Sequence, residues 1–252
     1  MLQCFLSNLK ILFVFFILYD SKLCAPEFSD LLATYKDIET ITPDLVISET
    51  VVQNTNKNLV LKIQMKGQKL DRYLFYTKSK DRYRYDGDQV TAYPQAFYVL
   101  LYKLQNSWIL GKKKRQLLAW MQLSDLKDHQ LEALFMEKYH IYEQLASLSG
   151  KLNDPLDIHV NSKSVKTGDQ ETSEARLLQI YLEDLGLRNA TWQSSRNCLD
   201  LEIGGMNGHR LGYMFCEDDL KFPKISRLGF YYIAHLKPGW FFYRRLLSDS
   251  EE

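Results

Sequence analysis

Two His-x-x-Glu pairs, His129 with Glu132 and His140 with Glu143, come nearest to a metal site in this sequence. An imidazole and a carboxylate three residues apart share one helix face and suit a divalent ion. Eleven residues of helix separate the two pairs by about 16 Å, too far for a shared ion, and set them opposite a Leu131/Leu134/Leu145 stripe; they read as a solvated face. The other histidines stand apart, His159 in the alternating segment Leu156 to Val160, His209 at a turn and His235 in a strand. No zincin helix, nucleophile elbow or phosphate-binding glycine loop is written in the chain. No catalytic residue, metal ligand or cofactor is assigned, and any catalytic set would have to be brought together from distant residues by the fold.

Cysteine chemistry is more specific. Of four cysteines, Cys4 and Cys24 belong to the N-terminal apolar region and its boundary, leaving Cys198 and Cys216 in the body. If Asn207-Gly208 is a two-residue turn, Met206 faces His209, and one bulged residue at Gly204-Gly205 brings Cys198 opposite Cys216. That register predicts a disulfide in an oxidising compartment, with reduced buried thiols as the cytosolic alternative. Asn189-Ala190-Thr191 is an acceptor sequon, relevant in a eukaryotic secretory pathway.

Charge excludes one class of partner. With Lys+Arg 32 against Asp+Glu 31, the net charge is +1 and no global field gathers a polyanion, so nucleic acid is not implied. The run Lys112-Lys113-Lys114-Arg115 reads as a solvated strand end or helix start. Residues 11 to 19, Ile-Leu-Phe-Val-Phe-Phe-Ile-Leu-Tyr, form an apolar stretch of signal-peptide length, too short to cross a bilayer between its polar flanks. Residues 1-25 are therefore expected to be a signal peptide or, uncleaved, an N-terminal anchor and the chain's one route to a membrane; the location expected is secreted or periplasmic.

The elements that must position these groups follow from an internal repeat. Leu31-Leu32-x-x-Tyr35 pairs with Leu177-Leu178-x-x-Tyr181, Leu59-x-Leu61-x-Ile63 and Tyr73-Leu74-Phe75 with Leu199-x-Leu201-x-Ile203 and Tyr213-Met214-Phe215, and Phe97-Tyr98 through Trp108 with Phe230-Tyr231 through Trp240. The fold class expected is α+β, a tandem duplication of a helix packed on a four-stranded antiparallel sheet, with a connecting helix. The divisions are 26-115 for the first module, 116-155 for the connection and 156-252 for the second. Phe28, Leu31, Leu32, Tyr35 and Ile38 supply one amphipathic helix, and Leu177, Leu178, Tyr181 and Leu185 the other. Lys66-Gly67-Gln68 turns one hairpin. Phe230 to Tyr243 reads as a hairpin about Pro238-Gly239, and by analogy Gln105-Asn106-Ser107 turns an equivalent hairpin in the first module. Ser124 and Asp125 open, and Gly150 ends, one spacer helix roughly 37 Å long, and 161 to 170 form a polar linker.

The chain is rich in aromatic residues, with 16 Tyr, 13 Phe and 4 Trp. Beyond Phe230 at its start, Tyr231, Tyr232, Trp240, Phe241, Phe242 and Tyr243 crowd the second hairpin, where alternation divides them between two faces. Tyr232, Trp240 and Phe242, with Trp108 of the first module, are a contact surface if their face is open and core if it is covered. Two helix-on-sheet modules joined by a helix resemble the layout of tandem cystatin-like inhibitors and, more loosely, of beta-lactamase inhibitor proteins. Pro238-Gly239-Trp240 is similar to the Pro-Trp second loop of cystatins, whereas Gly204-Gly205-Met206-Asn207-Gly208 departs from their Gln-x-Val-x-Gly first loop. The resemblance implies binding of another protein by loops and sheet faces. The function expected is an exported protein-binding module, an inhibitor, immunity or envelope accessory protein, with an extracytoplasmic enzyme or small-ligand carrier, its site between the modules, as the alternative.

Overall fold

A computed structural model describes residues 46–247 except 56, 66–70, 81, 91, 92, 94, 108–110, 151–156, 161–172, 194, 206, 207, 219, 220 and 222. The expected signal segment, the helix from Phe28 to Ile38, the turn at Lys66-Gly67-Gln68, Trp108, the linker at 161 to 170 and Asn207 of the predicted turn lie outside the described residues.

The fold is α+β with two antiparallel sheets. The first is a meander of β1 (Val46–Asn54), β2 (Asn58–Met65), β3 (Asp71–Ser79) and β4 (Arg82–Val90) in that order. Leu59, Leu61 and Ile63 alternate along β2 and are all buried, as period-two patterning requires. The second sheet has six strands, two more than expected: β5 (Asp157–His159), β6 (Asn189–Gln193), β7 (Cys198–Gly204), β8 (His209–Cys216), β9 (Phe230–Lys237) and β10 (Trp240–Leu246), ordered β5-β6-β7-β8-β10-β9.

Five helices complete the described fold: α1 (Gln95–Gln105), α2 (Lys112–Ser124), α3 (Asp128–Glu137), α4 (Tyr139–Ser149) and α5 (Ser173–Leu185). In α5, Ala175, Leu178, Leu182 and Leu185 recur at three- and four-residue spacing and are buried. Gly186 closes it at φ +69°, with Gly186 N–H donating to Glu183 O and Leu187 N–H to Leu182 O; only a residue at ease in the left-handed region makes that pair of bonds without strain.

The structure corrects three expectations. Phe97 to Leu104 is helical, not half of a hairpin, because Phe97, Leu101 and Leu104 fall on one helix face and all three are buried there. Asn106 ends that helix, its backbone N–H and Nδ2 both donating to Tyr102 O. The repeated third block is thus a helix in one half and a β-hairpin in the other, and the two sheets differ in strand number and order, so the described residues do not confirm a tandem duplication. The single spacer helix is two helices meeting at Lys138 (φ −105°, ψ 17°), preceded by α2. Ser124 and Asp125 end α2 rather than begin the next helix, and Lys127 N–H donates to Gln130 Oε1 at 2.9 Å to open α3.

Helices α3, α4 and α5 cover one face of the second sheet. Phe135 stands at their center, its ring centroid 4.6 Å from Tyr142, 5.1 Å from Tyr213 and 5.3 Å from Trp240. Trp240 and Phe242 are 1% and 0% exposed. Their face is covered, and that burial withdraws both from the expected contact surface.

Candidate functional site

Along β10, Trp240, Phe242 and Arg244 point to the same side of the sheet, so the alternation that buries two aromatic rings also buries a guanidinium. A buried charge must be paired. The partner is Asp128, at the first turn of α3 and 1% exposed, whose Oδ1 accepts from Arg244 Nε at 2.6 Å. Its Oδ2 accepts from Tyr73 of β3 at 2.5 Å and from Lys62 Nζ of β2. Lys62 also reaches Asp71 at 3.0 Å and lies 4.9 Å from the center of the Tyr232 ring. Tyr232 in turn donates to Glu132 Oε1 at 2.9 Å. One network therefore joins both sheets to α3.

Burial alone would raise the Asp128 carboxyl, but Arg244 and Lys62 beside it and the bonds from Lys62 and Tyr73 outweigh that, holding it at about 2. Tyr73 is pushed well above an ordinary phenol, first by burial and then by the Asp128 charge. Its proton is thus fixed toward the carboxylate. A carboxylate held in this way between a guanidinium, an ammonium and a phenol clamps the two sheets to α3.

The same chain of contacts leads to an open groove. Tyr93, just before α1, bonds to both Arg244 and Ser124. Ser124 forms part of the floor of a cavity of about 340 Å³ between α1 and α2. Ala96, Phe97 and Leu100 of α1 form one wall and Leu117, Trp120 and Met121 of α2 the other; Gly204, Gly205 and Arg188 close it from the second sheet. Trp120 Nε1 donates to Leu187 O at 3.2 Å, fixing the indole beside Arg188. Gly205, at φ +156°, admits no side chain: an added Cβ would lie 1.8 Å from His209 O. Outside the groove, α1 exposes Val99 and Tyr102, and Leu100 is exposed at its rim. The arrangement suits the apolar part of another molecule.

The expected site residues fall as follows. Cys198 and Cys216 pair in register and are bonded, with Cα atoms 4.3 Å apart, and the register shift lies between Glu202 and Gly204. Tyr232 is half-buried against Tyr73. Asn189 is half-buried inside β6, opposite Glu202 on one side and His159 on the other. His129, His140 and Glu143 are exposed, while Glu132 is the acceptor for Tyr232. Among the described residues no three His, Cys, Asp or Glu converge as metal ligands, and no helix is long and apolar enough to cross a membrane.

Sequence reasoning missed Asp128, Arg244, Lys62 and the groove. Arg244 carried a readable signal, being a charge in phase with Trp240 and Phe242. The groove carried none, since Ala96 and Gly204 meet only in the fold.

No protein family, curated protein or solved structure matches this chain. The likeness to tandem cystatin-like inhibitors gains no support there, and the tryptophan of Pro238-Gly239-Trp240 is buried in β10 instead of standing at a loop tip.

Proposed function

We propose that this protein is an exported binding protein that receives an apolar group of another molecule in the groove between α1 and α2. The observation that carries the reading is the groove itself: about 340 Å³, open, walled by Phe97, Leu100, Leu117, Trp120 and Met121, and closed by Arg188, Gly204 and Gly205 beside the six-stranded sheet. A volume at the lower end of ligand-pocket sizes, roughly 300 Å³ and upward, fits a small ligand or one protruding side chain better than a broad protein interface. Export is supported by the Cys198–Cys216 bond, which persists in oxidising compartments, and by the apolar run at residues 11 to 19.

A second reading, capture of a partner protein, is favored by Val99 and Tyr102 beside the groove and Leu100 at its rim, which are 47%, 68% and 42% exposed on one helix. Such a patch is a common mark of protein contact.

Titration with a neutral solvatochromic dye such as Nile red tests the groove. One saturable site is expected in the wild type, and its loss in Leu100→Glu and in Ala96→Trp, both changes at exposed positions. Equal dye binding by wild type and both variants would remove the groove from the function.

A further inference from the structure

The helices that wall the groove have an unusual charge distribution. Across Gln95–Gln105 and Lys112–Ser124 there is no acidic residue, while Lys103, Lys112, Lys113, Lys114 and Arg115 are all basic. In a chain whose total charges nearly cancel, this concentration is local to the groove. Lys112 is engaged with Glu183 at 2.9 Å, but Lys113, Lys114 and Arg115 are exposed. Lys113 and Lys114 precede Leu117 by four and three residues, so they share its helix face and stand at the end of the groove one turn, about 5 Å, before the first apolar wall residue. At the groove's other flank is Arg188, its side chain 45% exposed and only loosely held by Glu202 at 3.5 Å. The wall is therefore apolar along its length and cationic at its edges.

From this complementarity we infer that the occupant is a free single-chain anionic amphiphile, its alkyl chain along Phe97, Leu117 and Met121 and its acidic head at the Lys113/Lys114/Arg115 end of the groove. The inference rests on the groove being the binding site and specifies what enters it. Burial of the chain supplies affinity in proportion to methylene count; the head group, kept in water beside several cations, supplies preference of sign and a dependence on salt. A neutral chain of the same length has the first contribution and lacks the second. A bilayer lipid would also meet a cationic, apolar helix pair, but a cavity of about 340 Å³ has room for one chain and not for two.

Displacement of bound Nile red from the full chain separates these possibilities. Hexanoate, octanoate and decanoate should displace the dye with affinity rising about fourfold per added methylene. Decanoate should exceed decanol by about tenfold at low ionic strength, decyltrimethylammonium should be weakest, and the decanoate advantage should shrink in 0.5 M salt. In a Lys113→Gln/Lys114→Gln/Arg115→Gln variant the ratio of decanoate to decanol affinity should fall toward one. Equal displacement by decanoate and decanol in the wild type would overturn the anionic inference while leaving the groove as an apolar site. Sedimentation with phosphatidylglycerol vesicles combined with no response to free decanoate would overturn it in favor of a membrane surface. Absence of dye binding would defeat both the groove and its ligand.

Discussion

Arg244 Nε lies 2.6 Å from Asp128 Oδ1, and this contact ties strand β10 to the first turn of a helix more than a hundred residues earlier. Both groups are buried, so removing Asp128 strands the Arg244 guanidinium, and removing Arg244 leaves the Asp128 carboxylate with Lys62 and Tyr73 alone. Arg244→Leu and Asp128→Leu are each expected to cost about 3–5 kcal/mol, and the double variant distinctly less than their sum, because it leaves neither charge exposed to the low dielectric. Urea denaturation of the three variants measures the coupling. Additive losses would mean that the two groups act independently.

The same carboxylate sets an acid limit. Its folded value of about 2 lies below an ordinary 3.8. A depressed carboxylate contributes stability that is fully present above the unfolded value and is lost as pH falls through the folded one, so the loss occupies the range from about pH 4 down to about pH 2 and amounts to roughly 2 kcal/mol. Asp200 has the opposite sign. Burial, ahead of every other influence, raises its carboxyl despite Arg245 nearby, so its contribution declines as pH rises through its unfolded value toward the folded one. Asp128→Asn should flatten the fall of the urea midpoint between pH 4 and pH 2, whereas Asp200→Asn should act above about pH 4, where it removes a loss of stability with rising pH.

The disulfide spans a sequence separation of 18 between adjacent strands. Closing a loop of that length restricts the unfolded chain by about 3 kcal/mol. Cys198→Ser/Cys216→Ser should lower the urea midpoint accordingly, with a steeper denaturant slope as the freed unfolded chain expands. Dye binding in the groove should persist, since neither cysteine lines it. A variant that loses the dye site while still folded would show that the bond shapes the groove.

Legibility followed the length scale of each interaction. The register of β7 on β8 was open to reading, because strand alternation, a tight turn and a glycine bulge act within some twenty residues. So was α5, whose buried positions repeat along one element. The stretch from Phe97 to Gln105 was misread although its helical period was plain; similarity to Phe230 through Trp240 outweighed it, and aromatic residues placed at similar intervals serve a helix as well as a hairpin. β1 and β4 escaped notice for another reason. Edge strands such as Arg82–Val90 carry charged and glycine residues that blur the alternation. The clamp and the groove depend on groups brought together from four or more elements, which no local pattern contains.

Trp240 and Tyr102 offer the sharpest separation between an aromatic residue that builds the fold and one that faces solvent. Trp240 is enclosed by Phe135, Tyr142 and Phe215, with ring centroids 5.3, 5.8 and 5.1 Å away. Truncating it leaves a cavity among rings that cannot collapse freely, and Trp240→Ala should cost about 3–5 kcal/mol. Tyr102 is 68% exposed on α1, where substitution lies within about 0.5 kcal/mol of neutral. Thermal unfolding should therefore fall steeply for Trp240→Ala and hold for Tyr102→Ser. Capture of a partner protein that survives neither change would be uninformative for Trp240, whose loss acts through folding. A partner lost in Tyr102→Ser at unchanged thermal stability would place protein contact on α1 and favor the second reading over the first.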